Sequence, residues 1–143
     1  MADQVDIMEL ANIIYGEAAN QKPEVMKMVG STVINRLNAG KVEEFGASIP
    51  EVIYKGYFAA SNPNTPYQQA RTGQFPDEKS QHAYKQAMQI ASGLIKGTIE
   101  PDQGQFYFTK KEIANLKKKP KAFNFKAVKS FGSVGDYEVF GYK

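Results

Sequence analysis

Apolar residues at spacings of three and four predict that the chain begins with a long helix. This helix is expected over residues 4–17 or 4–18, with Asp3 as its N-cap. Its apolar face consists of Ile7, Leu10, Ala11, Ile14 and Ala18. At about 100° per residue, Glu17 falls at the border of that face. Its carboxyl group is therefore expected to be neither fully solvated nor fully buried.

The same spacing predicts three more helices. They are expected over residues 24–38, over a short stretch opened by Ser48, and from a cap at Asp77 to residue 96. Pro23 suits the first turn of the second helix, and Gly40 suits the position just after its end.

The remaining stretches have weaker patterns. Residues 62–75 are expected to form a long loop without regular structure. Residues 105–108 predict a short aromatic strand, residues 109–116 a helical turn, and residues 134–142 a terminal strand. The expected fold is a mainly helical α+β domain with a small β element, formed as one unit by residues 1–143.

Composition removes several classes of chemistry. The 143 residues contain no cysteine and one histidine, His82, which lies off the apolar face of its helix. The absence of cysteine excludes a disulfide scaffold and a cysteine nucleophile. A single histidine argues against a histidine-rich zinc site and a Ser-His-Asp triad. No apolar stretch approaches the ~18 residues of a membrane span. The acidic, polar first six residues do not resemble a signal peptide, so we expect another agent to deliver the protein.

Charge is distributed unevenly along the chain. The net charge is +3, yet residues 110–129 contain eight lysines and one acid, Glu112. Such a block attracts polyanions, including nucleic acid, anionic lipid and anionic cell-wall polymers. The alternative is a solvated face that only confers solubility.

Glu17 is the best candidate for chemistry. Partial burial raises the pKa of a carboxyl group, which a general acid near neutral pH requires. Gly16, Ala18 and Ala19 are small and are expected to leave room for a large substrate. A buried Asn35 or Arg36 could brace the carboxylate, although spacing alone equally allows an exposed pair. The competing interpretation of Glu17 is a surface glutamate facing water.

Aromatic residues in the central part of the chain are candidates for sugar contacts. Tyr57, Phe58 and Tyr67 are expected to be exposed, and their ring faces could stack on pyranose rings. Tyrosine and phenylalanine are more often core residues, so core packing is the alternative.

Several blocks of the chain resemble the cell-wall hydrolases typified by the spore-cortex lytic enzyme SleB. The strongest blocks are Leu10-Ala11 with Ile14-Tyr15-Gly16-Glu17-Ala18, and residues 29–36, Val-Gly-Ser-Thr-Val-Ile-Asn-Arg. Residues 49–54 and 56–58 are similar to a third block, and residues 105–108 and 134–140 match late blocks loosely. The chain departs from the family at Asn20-Gln21, where a glycine and a second acid are usual, and at residues 135–138, where a histidine is common.

This resemblance implies a lysozyme-like lytic transglycosylase that acts on peptidoglycan without a metal or cofactor. Glu17 would protonate the oxygen that links N-acetylmuramic acid to N-acetylglucosamine and would then act as a base. The expected substrate contacts are Tyr57, Phe58, Ser61, Gln105 and Tyr107.

Two alternatives remain open at this stage. A hydrolytic muramidase would need a second acid, for which the candidates are Glu24, Asp77, Asp102 and Asp136. A non-catalytic module would bind the wall or a nucleic acid through Lys117, Lys118, Lys119 and Lys121, next to Phe123 and Phe125. As an enzyme, the chain fits a phage lysin or a virion-associated wall-degrading protein.

Overall fold

The computed structural model describes residues 2–119 and 121–143, which form a mainly helical α+β structure. The eight helices, numbered α1 to α8, are Ala2–Ala18, Pro23–Asn38, Val42–Phe45, Ile49–Gly56, Phe58–Ser61, Thr65–Thr72, Glu78–Lys96 and Lys110–Lys117. The three strands, β1 to β3, are Phe106–Thr109, Val128–Val134 and Tyr137–Tyr142. The expected fold class is confirmed.

Helix α1 is the centre of the hydrophobic core. It packs against α2, α4, α5, α6 and α7, and Leu10, Ile13 and Ile14 are completely buried. A helix surrounded on so many sides has few ways to shift, because close-packed interiors resist displacement. The end of α1, which carries Glu17, is therefore held firmly.

The ends of the long helices agree with the sequence prediction. Pro23 occupies the first turn of α2, and Gly40 follows its end with a φ of 72°. The Ser48 side chain caps α4, and the Asp77 side chain caps α7 by accepting from the Ser80 N–H at 2.8 Å. The start of α1 differs slightly, since Asp3 lies inside the first turn rather than at the N-cap.

The expected loop over residues 62–75 is wrong, because α6 occupies its centre. Asn64 caps this helix by accepting from the Tyr67 N–H at 2.8 Å, and Gly73 ends it with a φ of 71°. Only Tyr67 and Ala70 of α6 are buried, so the helix lacks the apolar stripe that reveals a helix in sequence.

Helix α6 lies directly against the end of α1. A Cβ at Gly16 would lie 3.0 Å from the Tyr67 Cβ, which is closer than ordinary packing permits. The Asn64 amide also donates to the Gly16 carbonyl oxygen at 2.9 Å. The small residue at position 16 thus allows two helices to approach, and the expectation that it leaves room for substrate is wrong.

The sheet is antiparallel, in the order β1-β3-β2, with β3 in the middle. The sequence predicted one terminal strand over residues 134–142, but Val134 ends β2 and a turn at residues 135–136 leads into β3. Five of the seven residues of β2 are exposed, so this strand has no alternating apolar pattern to predict it.

Two side chains at the end of α2 fasten the sheet to the helices. Asn35 donates from its amide to the carbonyl oxygens of Asp102 and Gly104, at 2.6 and 2.8 Å. Arg36 donates from Nε to the carbonyl oxygen of Gln105 at 2.6 Å. The segment that leads into β1 is therefore fixed relative to the helical core.

After β1, a capping box starts α8. The Thr109 hydroxyl accepts from the Glu112 N–H at 3.2 Å, and the Glu112 Oε1 accepts from the Thr109 N–H at 2.9 Å. The predicted helical turn at this position is confirmed. Pro120, a residue type that does not continue a helix, lies outside the described residues. Among the helices described, none combines the length and the apolar character that a membrane crossing requires.

We expect Asn64→Ala to lower the free energy of unfolding by about 1–3 kcal/mol, because it removes both the cap of α6 and the bond to the Gly16 carbonyl. Asn64→Ser keeps a capping hydroxyl and should lose less. Urea unfolding of the three proteins, followed by circular dichroism, measures the difference. Equal stability of Asn64→Ala and the wild type would show that α6 is not held in this way.

Candidate active site

A cavity of about 410 Å³ lies between the helices and the sheet, and Glu17 forms part of its wall. Its walls come from α1, α2, α4, α5, α8, β1 and β3. The lining residues are Glu17, Arg36, Gly56, Tyr57, Phe58, Tyr107, Phe108, Glu112 and Tyr137. The structure therefore has a cavity beside Glu17, formed by residues from distant parts of the chain.

Glu17 is half-buried in the last turn of α1, as its position at the border of the apolar face predicts. Its Oε1 accepts a hydrogen bond of 2.7 Å from the Tyr107 hydroxyl. Burial raises the pKa of Glu17 above its ordinary value of 4.5. The Tyr107 hydrogen bond opposes this change, the negative charge of Glu112 adds to it, and the positive charge of Arg36 opposes it.

Tyr107 extends toward Glu17 from β1, where it pairs with Val139 of β3. Burial, together with the nearby negative charge of Glu17, keeps the pKa of Tyr107 well above 10. Its hydroxyl therefore keeps its proton and acts as the donor to Glu17. Glu17 and Tyr107 are 90 positions apart in the sequence, and both were candidate site residues. The hydrogen bond brings them together.

Arg36 is buried (8% exposed) and forms part of the cavity wall. Besides its bond to Gln105, it donates from Nη1 to the Gly56 carbonyl oxygen at 3.4 Å, and its guanidinium carbon lies 4.6 Å from the centre of the Tyr57 ring. Within the described residues, no Lys or Arg nitrogen lies within 4.0 Å of the Glu17 carboxylate. Arg36 thus influences Glu17 through its charge without forming an ion pair with it.

The three aromatic residues expected at the surface have different environments. Tyr57 and Tyr67 are each 3% exposed, so the expectation that they are exposed is wrong. The Tyr57 hydroxyl bonds to the Thr32 hydroxyl at 2.5 Å, and Tyr57 is still one of the residues that line the cavity. Phe58 is 75% exposed at the cavity rim, as predicted.

Other candidates lie away from Glu17. The Ser61 hydroxyl contacts the Phe58 carbonyl oxygen at 3.4 Å and is not part of the cavity wall. The Gln105 side chain accepts from the Tyr142 N–H at 3.1 Å and lines a second cavity, together with Asn35. Asn35 holds the segment before β1 and does not brace Glu17.

None of the four candidate second acids lines the Glu17 cavity. Asp77 caps α7, Asp102 lies 3.2 Å from the Lys27 ammonium group, Glu24 is in the first turn of α2, and Asp136 is in the β2–β3 turn. The second acid in the cavity wall is Glu112, which the sequence analysis assigned only to the lysine-rich block. The Thr109-x-x-Glu112 pattern directly after an aromatic strand was the signal that could have located it.

The arrangement is suited to acid–base chemistry. It combines a half-buried carboxyl group, a phenol that donates to one of its oxygens, and a buried cation nearby. The described residues contain no group of three or more His, Cys, Asp or Glu side chains able to hold a metal ion.

Comparison with known proteins gives one match. The family model described as Cell Wall Hydrolase matches residues 20–134, which is most of the chain and includes every cavity residue except Glu17 and Tyr137. No curated protein and no solved structure matches the chain significantly. The chain thus belongs to the Cell Wall Hydrolase family, which includes the SleB-type enzymes, and this membership supports a peptidoglycan-degrading activity.

Proposed function

We propose that the protein is a lytic transglycosylase that cleaves the β-1,4 bond between N-acetylmuramic acid and N-acetylglucosamine in peptidoglycan. The observation that carries the proposal is the half-buried Glu17 carboxyl, which has a raised pKa and faces a cavity in a member of a wall-degrading family. The proposed place of action is the bacterial cell wall. The lysozyme-like layout and the origin as a phage lysin or virion-associated enzyme stay predictions.

In the proposed reaction, Glu17 acts first as an acid and then as a base. Tyr107 occupies Oε1, so Oε2 is the oxygen available to carry the proton. Glu17 donates this proton to the glycosidic oxygen as the bond to C1 of the muramic acid breaks, which leaves an oxocarbenium-like ring. The 6-hydroxyl of the same sugar then bonds to C1 and returns its proton to the Glu17 carboxylate. This internal closure needs no activated water.

The surrounding residues have proposed roles that follow from their positions. Tyr107 orients the carboxyl group and stabilises its ionised form. Phe58 offers an exposed ring face at the rim, on which the apolar face of a sugar can stack. Tyr57 forms part of the cavity wall. Contacts from Ser61 and Gln105 to sugars would have to lie farther along the glycan strand, because neither residue lines the cavity.

A hydrolytic muramidase is the second candidate, and Glu112 is the observation that favours it. A hydrolase requires a second carboxylate near the acid, about 5 to 9.5 Å away according to its stereochemistry. Mass spectrometry of digested sacculi distinguishes the two enzymes. Anhydro-sugar ends identify the transglycosylase, and reducing ends identify the hydrolase.

The lysine-rich surface is proposed to bind an anionic polymer of the envelope. Lys117, Lys118, Lys119 and Lys121 are exposed, and the Lys117 ammonium group lies 5.7 Å from the centre of the Phe125 ring. This surface lies at the far end of α8 from Glu112, so wall attachment and bond cleavage can occur together. A non-catalytic binding module would use the same surface and cleave nothing.

We expect Glu17→Gln to abolish clearing of purified sacculi while the protein remains folded, because glutamine cannot donate the proton. Turbidity loss and circular dichroism measure the two properties. The control is Glu24→Gln, which makes the same change in the first turn of α2, away from the cavity, and should keep full activity. Full activity of Glu17→Gln would exclude Glu17 as the acid.

The same variant should also change the dependence of stability on pH. Because burial raises the pKa of Glu17, its protonated form stabilises the folded state below about pH 4.5, and this contribution is lost as the pH rises through the raised pKa. Glu17→Gln resembles the protonated form at every pH. Its free energy of unfolding relative to wild type should therefore increase from about pH 4.5 upward. A constant difference would contradict the raised pKa.

Tyr107→Phe should shift the alkaline limb of the kcat profile to higher pH. The hydrogen bond from Tyr107 stabilises the Glu17 carboxylate, so its loss raises the pKa of Glu17 further and keeps the acid protonated over a wider range. Tyr137→Phe is the matched control, since it removes a hydroxyl from the same cavity that does not bond to Glu17. A shift to lower pH in Tyr107→Phe would be inconsistent with this role.

Changing Lys117, Lys118, Lys119 and Lys121 to glutamine should weaken sedimentation with sacculi at low salt and have little effect at high salt, because salt screens surface charges. The control protein carries glutamine at four exposed lysines elsewhere, Lys22, Lys79, Lys85 and Lys96. Equal loss of binding in both proteins would indicate an effect of net charge rather than of this surface.

A further inference from the structure

Glu112 lies in the wall of the Glu17 cavity because of the local structure after β1. Tyr107 and Phe108, which precede the capping box, also line the cavity, and Thr109 begins the turn into α8. Glu112 is the third residue of α8, so the helix start places its carboxylate on the cavity side. The strand that holds Glu17 through Tyr107 thus also positions a second acid.

Only one oxygen of Glu112 is used by the capping box. Oε1 accepts from the Thr109 N–H at 2.9 Å, and no described residue donates a hydrogen bond to Oε2. The cap fixes the side chain of a residue that lines the cavity and leaves Oε2 available to a bound sugar. An anion fixed in this way requires little reorganisation when charge develops beside it.

The groups that face Glu17 define the electrostatics of the cavity. They are Tyr107 with its hydrogen bond, the charges of Arg36 and Glu112, and the neighbouring hydroxyls of Tyr57 and Tyr137. Of these, Glu112 alone adds negative charge. Both carboxyl groups belong to residues that line the cavity, and the negative charge of Glu112 adds to the rise in the pKa of Glu17.

We propose that Glu112 is a second catalytic carboxylate, which faces the sugar ring and stabilises the positive charge that develops there when the glycosidic bond breaks. It forms no bond and transfers no proton, and the acid and base steps stay with Glu17. This inference rests on the proposed function, since it requires an oxocarbenium-like state in this cavity. The related enzymes usually carry a second acid at the position of Asn20-Gln21. In this chain Glu112 of α8 would supply a second carboxylate instead.

The test is Glu112→Gln, which removes the charge and keeps a carbonyl oxygen to accept from the Thr109 N–H. We expect an unchanged melting temperature, a kcat lowered about tenfold or more, and a KM changed less than about twofold. The alkaline limb of the kcat profile should also move to lower pH, because the pKa of Glu17 falls when the neighbouring negative charge is removed. This shift is opposite to the one expected for Tyr107→Phe.

Two controls separate charge from structure. Thr109→Ala removes the hydroxyl that accepts from the Glu112 N–H but keeps the Thr109 N–H that binds the Glu112 carboxylate, so it should reduce kcat much less than Glu112→Gln. Glu138→Gln removes a carboxylate from β3, opposite Phe108 and outside the Glu17 cavity, and should keep the wild-type kcat.

The outcomes separate this inference from the proposed function. A Glu112→Gln enzyme with wild-type kcat and pH profile, or a Thr109→Ala enzyme equally impaired, overturns the role of Glu112 and leaves Glu17 as the acid. An active Glu17→Gln enzyme overturns the proposed function itself.

Discussion

The hydrogen bond between Tyr107 and Glu17 joins the two parts of this molecule at the place where its chemistry is proposed. Glu17 belongs to the buried central helix, and Tyr107 belongs to the small sheet. Their distance of 2.7 Å depends on how the sheet is fastened to the helices, which Asn35 and Arg36 do through three backbone carbonyl groups. Asn35 and Arg36, the last two residues of the Val-Ile-Asn-Arg block, therefore hold the sheet in the position that this hydrogen bond requires.

Opposing effects set the protonation of Glu17. Burial and the charge of Glu112 favour the neutral acid, while the Tyr107 hydroxyl and the charge of Arg36 favour the anion. The position at the end of α1 acts in the same direction as burial, because the carboxyl end of a helix carries partial negative charge. The proposed reaction, in which Glu17 acts first as an acid and then as a base, benefits from these opposing effects, because they favour different protonation states.

The sequence predicted those features that are encoded locally. Apolar faces and capping residues located α1, α2, α4 and α7, and the position of Glu17 at the edge of an apolar face predicted its partial burial. Helix α6 and strand β2 were missed because most of their residues are polar or exposed, so packing against neighbours, rather than periodicity, determines their structure. Burial of Tyr57 arises from contacts between distant segments, which no local pattern contains. The capping box of Thr109 and Glu112 is a local pattern, but the position of Glu112 beside Glu17 depends on how the sheet packs against the helices.

The family match begins at residue 20, so Glu17, the proposed acid, comes from a helix outside the matched region, whereas most of the cavity wall comes from inside it. Packing of α1 against the other helices connects Glu17 to the matched region. Leu10, Ile13 and Ile14, which precede Glu17 on α1, are completely buried against the helices of the matched region. Moving Glu17 relative to Tyr107 would require repacking that core. A carboxyl group carried by such a rigid element is held in position by the core itself, which is the arrangement that the proposed proton transfer requires.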